Sequence, residues 1–223
     1  GTPYEAEAEL FRASLDRVGM RHRIEAVPDR GSWDENTAEK PRFIRRMRKA
    51  LKGPIVYIDV DAYVHKNCSE YFDSLTLKRA DFAAHWFAGP AKGHNYSSNC
   101  ACLSGRPCDR PHRLLSGTLF FGDTRGARAI LNVWCGYNDL CRDAGWGSGG
   151  GQRNLWAIVT SQGERIRQAK LPGRYCYVFD KPQGYPAGEP RIIEHTIASR
   201  DNRGRRQRTT SRKNRIRQLE RKS

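Results

Sequence analysis

No stretch of this sequence stays apolar for the roughly 20 residues that a membrane-spanning helix needs, and no charged-then-apolar segment opens it. We therefore expect no transmembrane segment. The cysteine count is not even: seven cysteines cannot all pair, which argues against a secreted disulfide framework and leads us to expect a reducing, cytoplasmic setting. No internal repeat is visible, so no array architecture is expected.

Acid is also in short supply. There are 24 Asp and Glu against 40 Lys and Arg, a formal net charge of +16 over 223 residues. The excess is uneven, because residues 203–223 hold ten Lys or Arg and a single acid, Glu220. Such a segment repels itself and cannot bury enough apolar surface to fold alone. We expect a disordered basic tail over 203–223 and one folded domain over 1–202. The tail reads either as a solubilising terminus or as a contact for a polyanion, nucleic acid before an anionic membrane.

Within the folded part, Thr2, Pro3 and Glu5 form a helix start, with Leu10, Phe11, Leu15 and Val18 on its apolar face and Gly19 as its stop. "RHRIEAVP" reads as a strand, and a basic helix follows from near Thr37 or Pro41. "IVYID", "ADFAAHWF", "LLSGTLFFG" (broken at Ser116-Gly117), "RIRQAKLPGRYCYVF" and "RIIEH" read as further strands, separated by helices around "SEYFDSL", "TRGARAILNVWCGY" and "QRNLWAIVTSQG". Residues 88–113, rich in Gly, Pro, Asn, Ser and Cys, form a long loop. Alternating strands and helices predict an α/β fold with a mostly parallel central sheet. A helix cap at residue 2 leads us to expect that the sheet's first strand lies upstream of this sequence.

One stretch raises a chemical question. In "GPIVYIDVDAYVHKN" an apolar run ends at two carboxylates, Asp59 and Asp61, spaced i, i+2. On a strand they face the same way, and like charges aimed at one place need a cation between them. Mg2+ or Mn2+ suits such a place, being a hard ion that binds oxygen and bridges to phosphate. Two enzyme classes use this arrangement. A haloacid-dehalogenase-type phosphohydrolase takes one aspartate as nucleophile, but its motif continues differently from Ala62-Tyr63 and needs a later acidic pair. A sugar transferase uses the pair to hold the metal that grips a nucleotide diphosphate.

At this point the sequence resembles GT-A-fold (Rossmann-like) nucleotide-diphospho-sugar transferases, over roughly residues 2–200. The matching pieces are "TPY", "GSWDENTAEKPRFI", "VYIDVDAYV", "LLSGTLFFGDT", "GGGQRNLW", "LPGRY" and "IIEHTIASR", in that order. The resemblance implies a metal-dependent glycosyltransferase, with a UDP-sugar as the leading donor. It implies that Thr2 and Tyr4 face the base, that Trp33 and Lys40 flank the nucleotide, and that Asp59 and Asp61 hold ribose and metal. Ser116 and Gly117 would admit the sugar, His195 would complete the metal site, and Arg200 would reach the pyrophosphate. Asp61 and Gln152 are the implied catalytic residues. One departure stands out: the family commonly has acids just before that glutamine, where this chain has Gly150 and Gly151. Asp123, Asp139 and Asp143 are candidate stand-ins, and direct front-face displacement fits the missing carboxylate better than a protein nucleophile does.

A second metal set lies in the long loop. Cys100, Cys102, Cys108 and His112 are chemically a tetrahedral zinc set, though their spacing is not a standard finger, and free thiols remain the alternative. Cys68, Cys135, Cys141 and Cys176 read as small buried residues. Besides sugar transfer, for which a modified DNA or RNA base is a candidate acceptor, the open alternatives are a nucleic-acid-binding protein using tail and zinc loop, or a phosphohydrolase. The tail, lying beyond His195, is expected to be dispensable for donor hydrolysis.

Overall fold

Helix α1 (Tyr4–Arg17) forms where Phe11 and Leu15 share one buried face, and Gly19 ends the segment with φ at 66°. Its buried Ser14 hydroxyl donates to the Phe11 carbonyl and accepts the Val64 amide at 3.1 Å, tying the helix to strand β2 (Ala62–Val64). Helix α2 (Trp33–Ala38) starts with a capping box: the Ser32 hydroxyl accepts from the Glu35 amide and donates to the Glu35 carboxylate, both at 3.2 Å. Helix α3 (Lys40–Leu51) carries Pro41 in its first turn and ends in a left-handed Lys52. The structure, a computed structural model, describes residues 4–88, 112–144, 151–180, 185, 188–197 and 206–222.

Strand β1 (Ile55–Ile58) leads through Asp59 to Asp61 into β2, followed by α4 (Ser69–Leu77), β3 (Phe82–Ala88) and β4 (His112–Phe121). Helices α5 (Arg125–Asp143) and α6 (Gly151–Gln162) come next, then β5 (Gln168–Lys170), β6 (Tyr177–Val178), β7 (Ile193–His195) and α7 (Arg206–Glu220). One sheet has the order β1-β4-β3-β5 and a smaller one the order β2-β7-β6. The α/β expectation holds, but the sheet is mixed rather than mostly parallel. Strand β4 sits between β1 and β3 and runs antiparallel to both, and β2 is antiparallel to β7; among the described residues only β3–β5 and β6–β7 are parallel. Strand β4 follows β3 and pairs beside it antiparallel, although the connection of residues 89–111 is long enough for a parallel crossover. The expected strand at Arg21–Pro28 is absent. Those residues pair with no strand among the described ones and stay mostly exposed, their backbone groups left to water.

Side-chain alternation sorts the core onto the two faces of the larger sheet. Leu119 and Phe121 of β4 with Phe82 and Ala84 of β3 pack under Ile44, Ile130, Leu131, Trp134, Leu155 and Val159 from α3, α5 and α6. Phe120 and Ala83 face the other way, toward Phe11, Leu15, Phe72, Leu75 and Ile193. The four cysteines read as small buried residues (Cys68, Cys135, Cys141, Cys176) are buried and free. Among the described residues no helix is long and apolar enough to cross a membrane.

The expected disorder of the tail does not hold over α7. This helix has no strongly apolar face, yet Leu219 is fully buried and two arginines point inward. Arg212 pairs with Glu7 of α1 and donates to the Thr196 carbonyl at 3.1 Å. Arg215 grips Glu194 of β7 with two nitrogens, at 2.6 and 2.5 Å. The tail cannot fold alone, and it does not have to, because carboxylates on the body neutralise it. The two pairs differ in what they contribute. Burial outweighs Arg212 and lifts the Glu7 pKa, so that pair positions more than it stabilises. Burial also pushes Glu194 up, but His65, Arg215 and Arg191 outweigh it and hold the pKa down at about 2.

A carboxyl depressed from 4.5 to about 2 adds stability that is fully present above pH 4.5 and lost as pH falls toward 2. Acid titration followed by circular dichroism should show this loss in the native chain, and Glu194→Gln should flatten it across that window. Arg215→Ala, which removes the two-nitrogen partner of the buried Glu194 and leaves it to His65 and Arg191, should cost roughly 1–3 kcal/mol in urea unfolding at neutral pH. An unchanged urea midpoint would mean that the helix is not held by this pair.

Candidate active site

The two aspartates do not lie on one strand. Strand β1 stops at Ile58, and Asp59, Val60 and Asp61 turn the chain out of the larger sheet into β2 of the smaller one. Alternation along a strand therefore does not set their directions. They still serve one neighbourhood, because the half-buried Tyr57 and Tyr4 have pKa values raised first by burial and then by both carboxylates.

Their partners are different. Asp59 takes the Lys40 ammonium at 2.8 Å on one oxygen and 3.0 Å on the other, and accepts the Tyr57 hydroxyl at 2.7 Å. Lys40 also donates to the Ser116 carbonyl at 3.3 Å. Asp61 instead lies 3.8 Å from His195 Nδ1. Its carbonyl accepts the Thr196 amide at 2.8 Å and the Thr196 hydroxyl at 3.0 Å. Through Thr196 and Arg212, helix α7 thus reaches the back of Asp61. That corrects the view of the tail as remote from the site.

Strand β4 supplies the facing wall. Ala84 of β3 pairs with Leu119 but His85 pairs with Leu115, so Ser116 to Thr118 bulge away from β3, at the break expected from the Ser-Gly step. Thr118 still pairs with Ile58, and the Asp59 amide donates to the Gly117 carbonyl at 2.8 Å. The bulge turns Ser116 toward α6, where its amide and hydroxyl donate to Gln152 Oε1 at 3.1 and 3.4 Å. Thr118 shares a hydrogen bond of 2.9 Å with His195 Nε2. Gly117 has a sharper role than admitting substrate. A Cβ there would lie 2.8 Å from the His195 ring, so only glycine lets the two sheets close.

His195 is buried, and burial alone would push its pKa down. The neighbouring Cys176 and Asp61 outweigh that and hold it up at about 10, so a cation arriving here competes with a proton. Among the described residues no three His, Cys, Asp or Glu side chains converge as a metal cage. Of the expected trio, Asp59 is paired with Lys40, while Asp61 and His195 lie 3.8 Å apart. Asp61 and His195 face each other as two donors. That fits a divalent ion which completes its shell with phosphate oxygens and water, as Mg2+ and Mn2+ do.

Lys40, Asp59, Asp61, Ser116, Gly117, Gln152 and His195 come together, and Tyr4 joins them from the start of α1. The candidate stand-in acids do not. Asp139 is bound by Arg42 and Arg142, Asp123 by Arg48 and Arg128, and Asp143 lies beside Arg142. Gly151 is buried, and a Cβ there would sit 3.0 Å from the Thr37 carbonyl and 3.6 Å from Trp134, so an acid at this place would be crowded against that carbonyl. Thr2, Arg200, Cys100, Cys102 and Cys108 lie outside the described residues, as do the side chains of Trp33 and His112. Tyr57 and Thr118 were not anticipated. The i, i+2 spacing of Tyr57 and Asp59 is a signal for the first, and nothing local marks the second.

No family model and no curated protein matches the chain. Among solved structures, the chain is similar to a glycosyltransferase involved in the glycosylation of the major capsid of PBCV-1. The alignment covers 94% of this chain and 92% of that one, with a TM-score of 0.59 and 14% identity. Mouse xyloside xylosyltransferase 1 in its apo form aligns over 86% of this chain and 74% of its own, with a TM-score of 0.48 and 12% identity. The chain therefore shares the fold of a solved glycosyltransferase over nearly its whole length, in keeping with the likeness read from the motifs.

Gly117→Ala should displace His195 and destabilise the protein by roughly 1–3 kcal/mol, the usual cost of overpacking. Gly151→Asp should destabilise it too, although it would restore an acid common in the sequences that this chain resembles. Thermal unfolding checks both, and a wild-type Tm for either would show that its site is looser than the packing implies.

Proposed function

We propose that the chain is a glycosyltransferase that moves a sugar from a nucleotide-diphosphate donor, a UDP-sugar in the first instance, to an acceptor hydroxyl. The observation that carries the reading is the convergence of Lys40–Asp59, Asp61–His195 and Ser116–Gln152 where β1 leaves the sheet, in a fold shared with a solved glycosyltransferase. Each pair has a task that suits a diphosphate sugar.

Lys40 is a fixed positive charge. Asp59 and the Ser116 carbonyl hold its ammonium in a partly buried position, where it meets a phosphate with little reorganisation. Asp61 and His195 would hold a Mn2+ or Mg2+ ion, which when bound supplies charge to stabilise the departing diphosphate. Gln152 spends its carbonyl oxygen on Ser116, and its amide N–H groups are the donors left for the sugar or the acceptor. An amide is a poor nucleophile, and the nearby acids are engaged elsewhere. The chemistry this favours is front-face displacement: the bond from the anomeric carbon to the phosphate oxygen breaks, the bond to the acceptor oxygen forms, and the acceptor proton passes to the leaving phosphate.

The basic composition favours an anionic acceptor, and a hydroxylated DNA or RNA base fits that description. The tail supports this less than its charge suggests, since Arg212 and Arg215 are turned inward. The zinc-loop reading rests on cysteines outside the described residues.

Asp61→Asn and His195→Ala should each reduce transfer by at least about 100-fold, while Gln152→Ala should slow it without loss of donor binding. The decisive assay is thermal protection by UDP-sugars with and without Mn2+, alongside release of UDP. Protection by a nucleotide sugar that Mn2+ enhances in the native chain, and that Asp61→Asn removes, supports the proposal. Hydrolysis of a phosphomonoester with no response to any nucleotide sugar would overturn it in favour of a phosphohydrolase.

A further inference from the structure

A cavity of about 760 Å3 opens at the other end of the larger sheet, bordered by Asp81 ahead of β3, by Gly122 after β4 and by the first turn of α5. Ile58 pairs with Thr118 at the aspartate end, whereas Ile55 and Phe82 both pair with Phe121 at this one. The cavity is thus roughly 15 Å from the candidate active site, taking about 3.3 Å per strand residue.

Five arginines line it, from three separate segments: Arg79 after α4, Arg125 and Arg128 at the start of α5, and Arg165 and Arg167 before β5. All five are exposed. Among the described residues two carboxylates share the lining, and both are committed. Asp81 accepts the Arg167 amide at 2.7 Å and its guanidinium at 3.2 Å, while Asp123 is held by Arg48 at 2.6 Å and faces Arg128 at 3.5 Å. The guanidinium groups of Arg79, Arg125 and Arg165 make no hydrogen bond or ion pair among the described residues. The end of α5 is not itself the anion site, since Asp81 already fills it: a Cβ on Gly126 would lie 2.5 Å from the Asp81 carboxyl carbon.

Three unneutralised guanidiniums gathered from three segments around one concavity repel one another, and an anion relieves that repulsion. The guanidinium fork matches adjacent phosphate oxygens better than a point charge does. Among the described residues no aromatic ring lines the cavity, so they offer no platform for stacking bases. It is a half-open concavity whose volume is typical of small-ligand sites. We infer that this cavity is a second anion site, separate from the donor site, that binds a compact ligand carrying two or more adjacent phosphates. The inference stands whether or not the chain transfers sugars.

Calorimetric titration with inorganic tripolyphosphate at low salt tests it in three proteins: the native chain, the triple variant Arg79→Ser/Arg125→Ser/Arg165→Ser, and Lys40→Ala. Tripolyphosphate should bind the native chain and bind the triple variant at least about tenfold more weakly, with Lys40→Ala changed by less than about twofold. The three side chains are exposed and bond to no described residue, so the triple variant should keep the native Tm. If it does not, Arg125→Ser alone should weaken binding by about threefold. No binding to the native chain, equal binding by the arginine variants, or a loss confined to Lys40→Ala would overturn the assignment. So would a single-stranded oligonucleotide that binds at least tenfold more tightly than tripolyphosphate through the same arginines, because the site would then be a nucleic-acid contact.

Discussion

The contact on which the rest depends is the seating of the His195 ring against the backbone of Gly117. His195 ends β7 in the smaller sheet and Gly117 lies in the β4 bulge of the larger one, so this contact is where the two sheets meet. Ala62 pairs with His195, which sets the ring beside Asp61, and Thr118 holds its far nitrogen. The same bulge turns Ser116 toward Gln152 and leaves the Gly117 carbonyl to accept the Asp59 amide. A side chain on residue 117 would move all of these at once. The site is a seam between sheets rather than a feature of one strand, which is why two aspartates close in sequence have such different partners.

Much of this was legible in the chain. The apolar run into Asp59 and Asp61, the Ser116-Gly117 break, Lys40 at the head of a helix and His195 at the end of a short strand are all local signals, and the structure brings these residues together. The division of labour was not legible. Asp59 is neutralised by a lysine 19 residues away, and spacing says nothing about which aspartate takes that partner. Gly151 read as a missing acid because the family comparison considers chemistry alone; the Thr37 carbonyl above it is a packing constraint that no local pattern reveals. Strand direction failed for a related reason. Periodicity marks a strand and its buried face but carries no information about which neighbour it adds to.

Charge taught the same lesson. A net +16 invites a polyanion partner, and the run after residue 203 concentrates that expectation. Part of the charge is structural instead. Arg48, Arg212 and Arg215 turn inward to carboxylates, and α7 becomes a helix because Glu7 and Glu194 on the body neutralise it. The arginines that remain unneutralised among the described residues include a cluster at the far end of the sheet, in segments whose sequences show no obvious run of charge.

The most direct test of the central claim is a crystal structure grown with Mn2+ and UDP, phased to reveal the anomalous signal of the metal. The account predicts one strong peak in contact with both the Asp61 carboxylate and the His195 imidazole, with the diphosphate on the same ion and Lys40 on its phosphate oxygens. A peak that touches Asp59 after Lys40 has swung away, or UDP bound with no metal near His195, would contradict it.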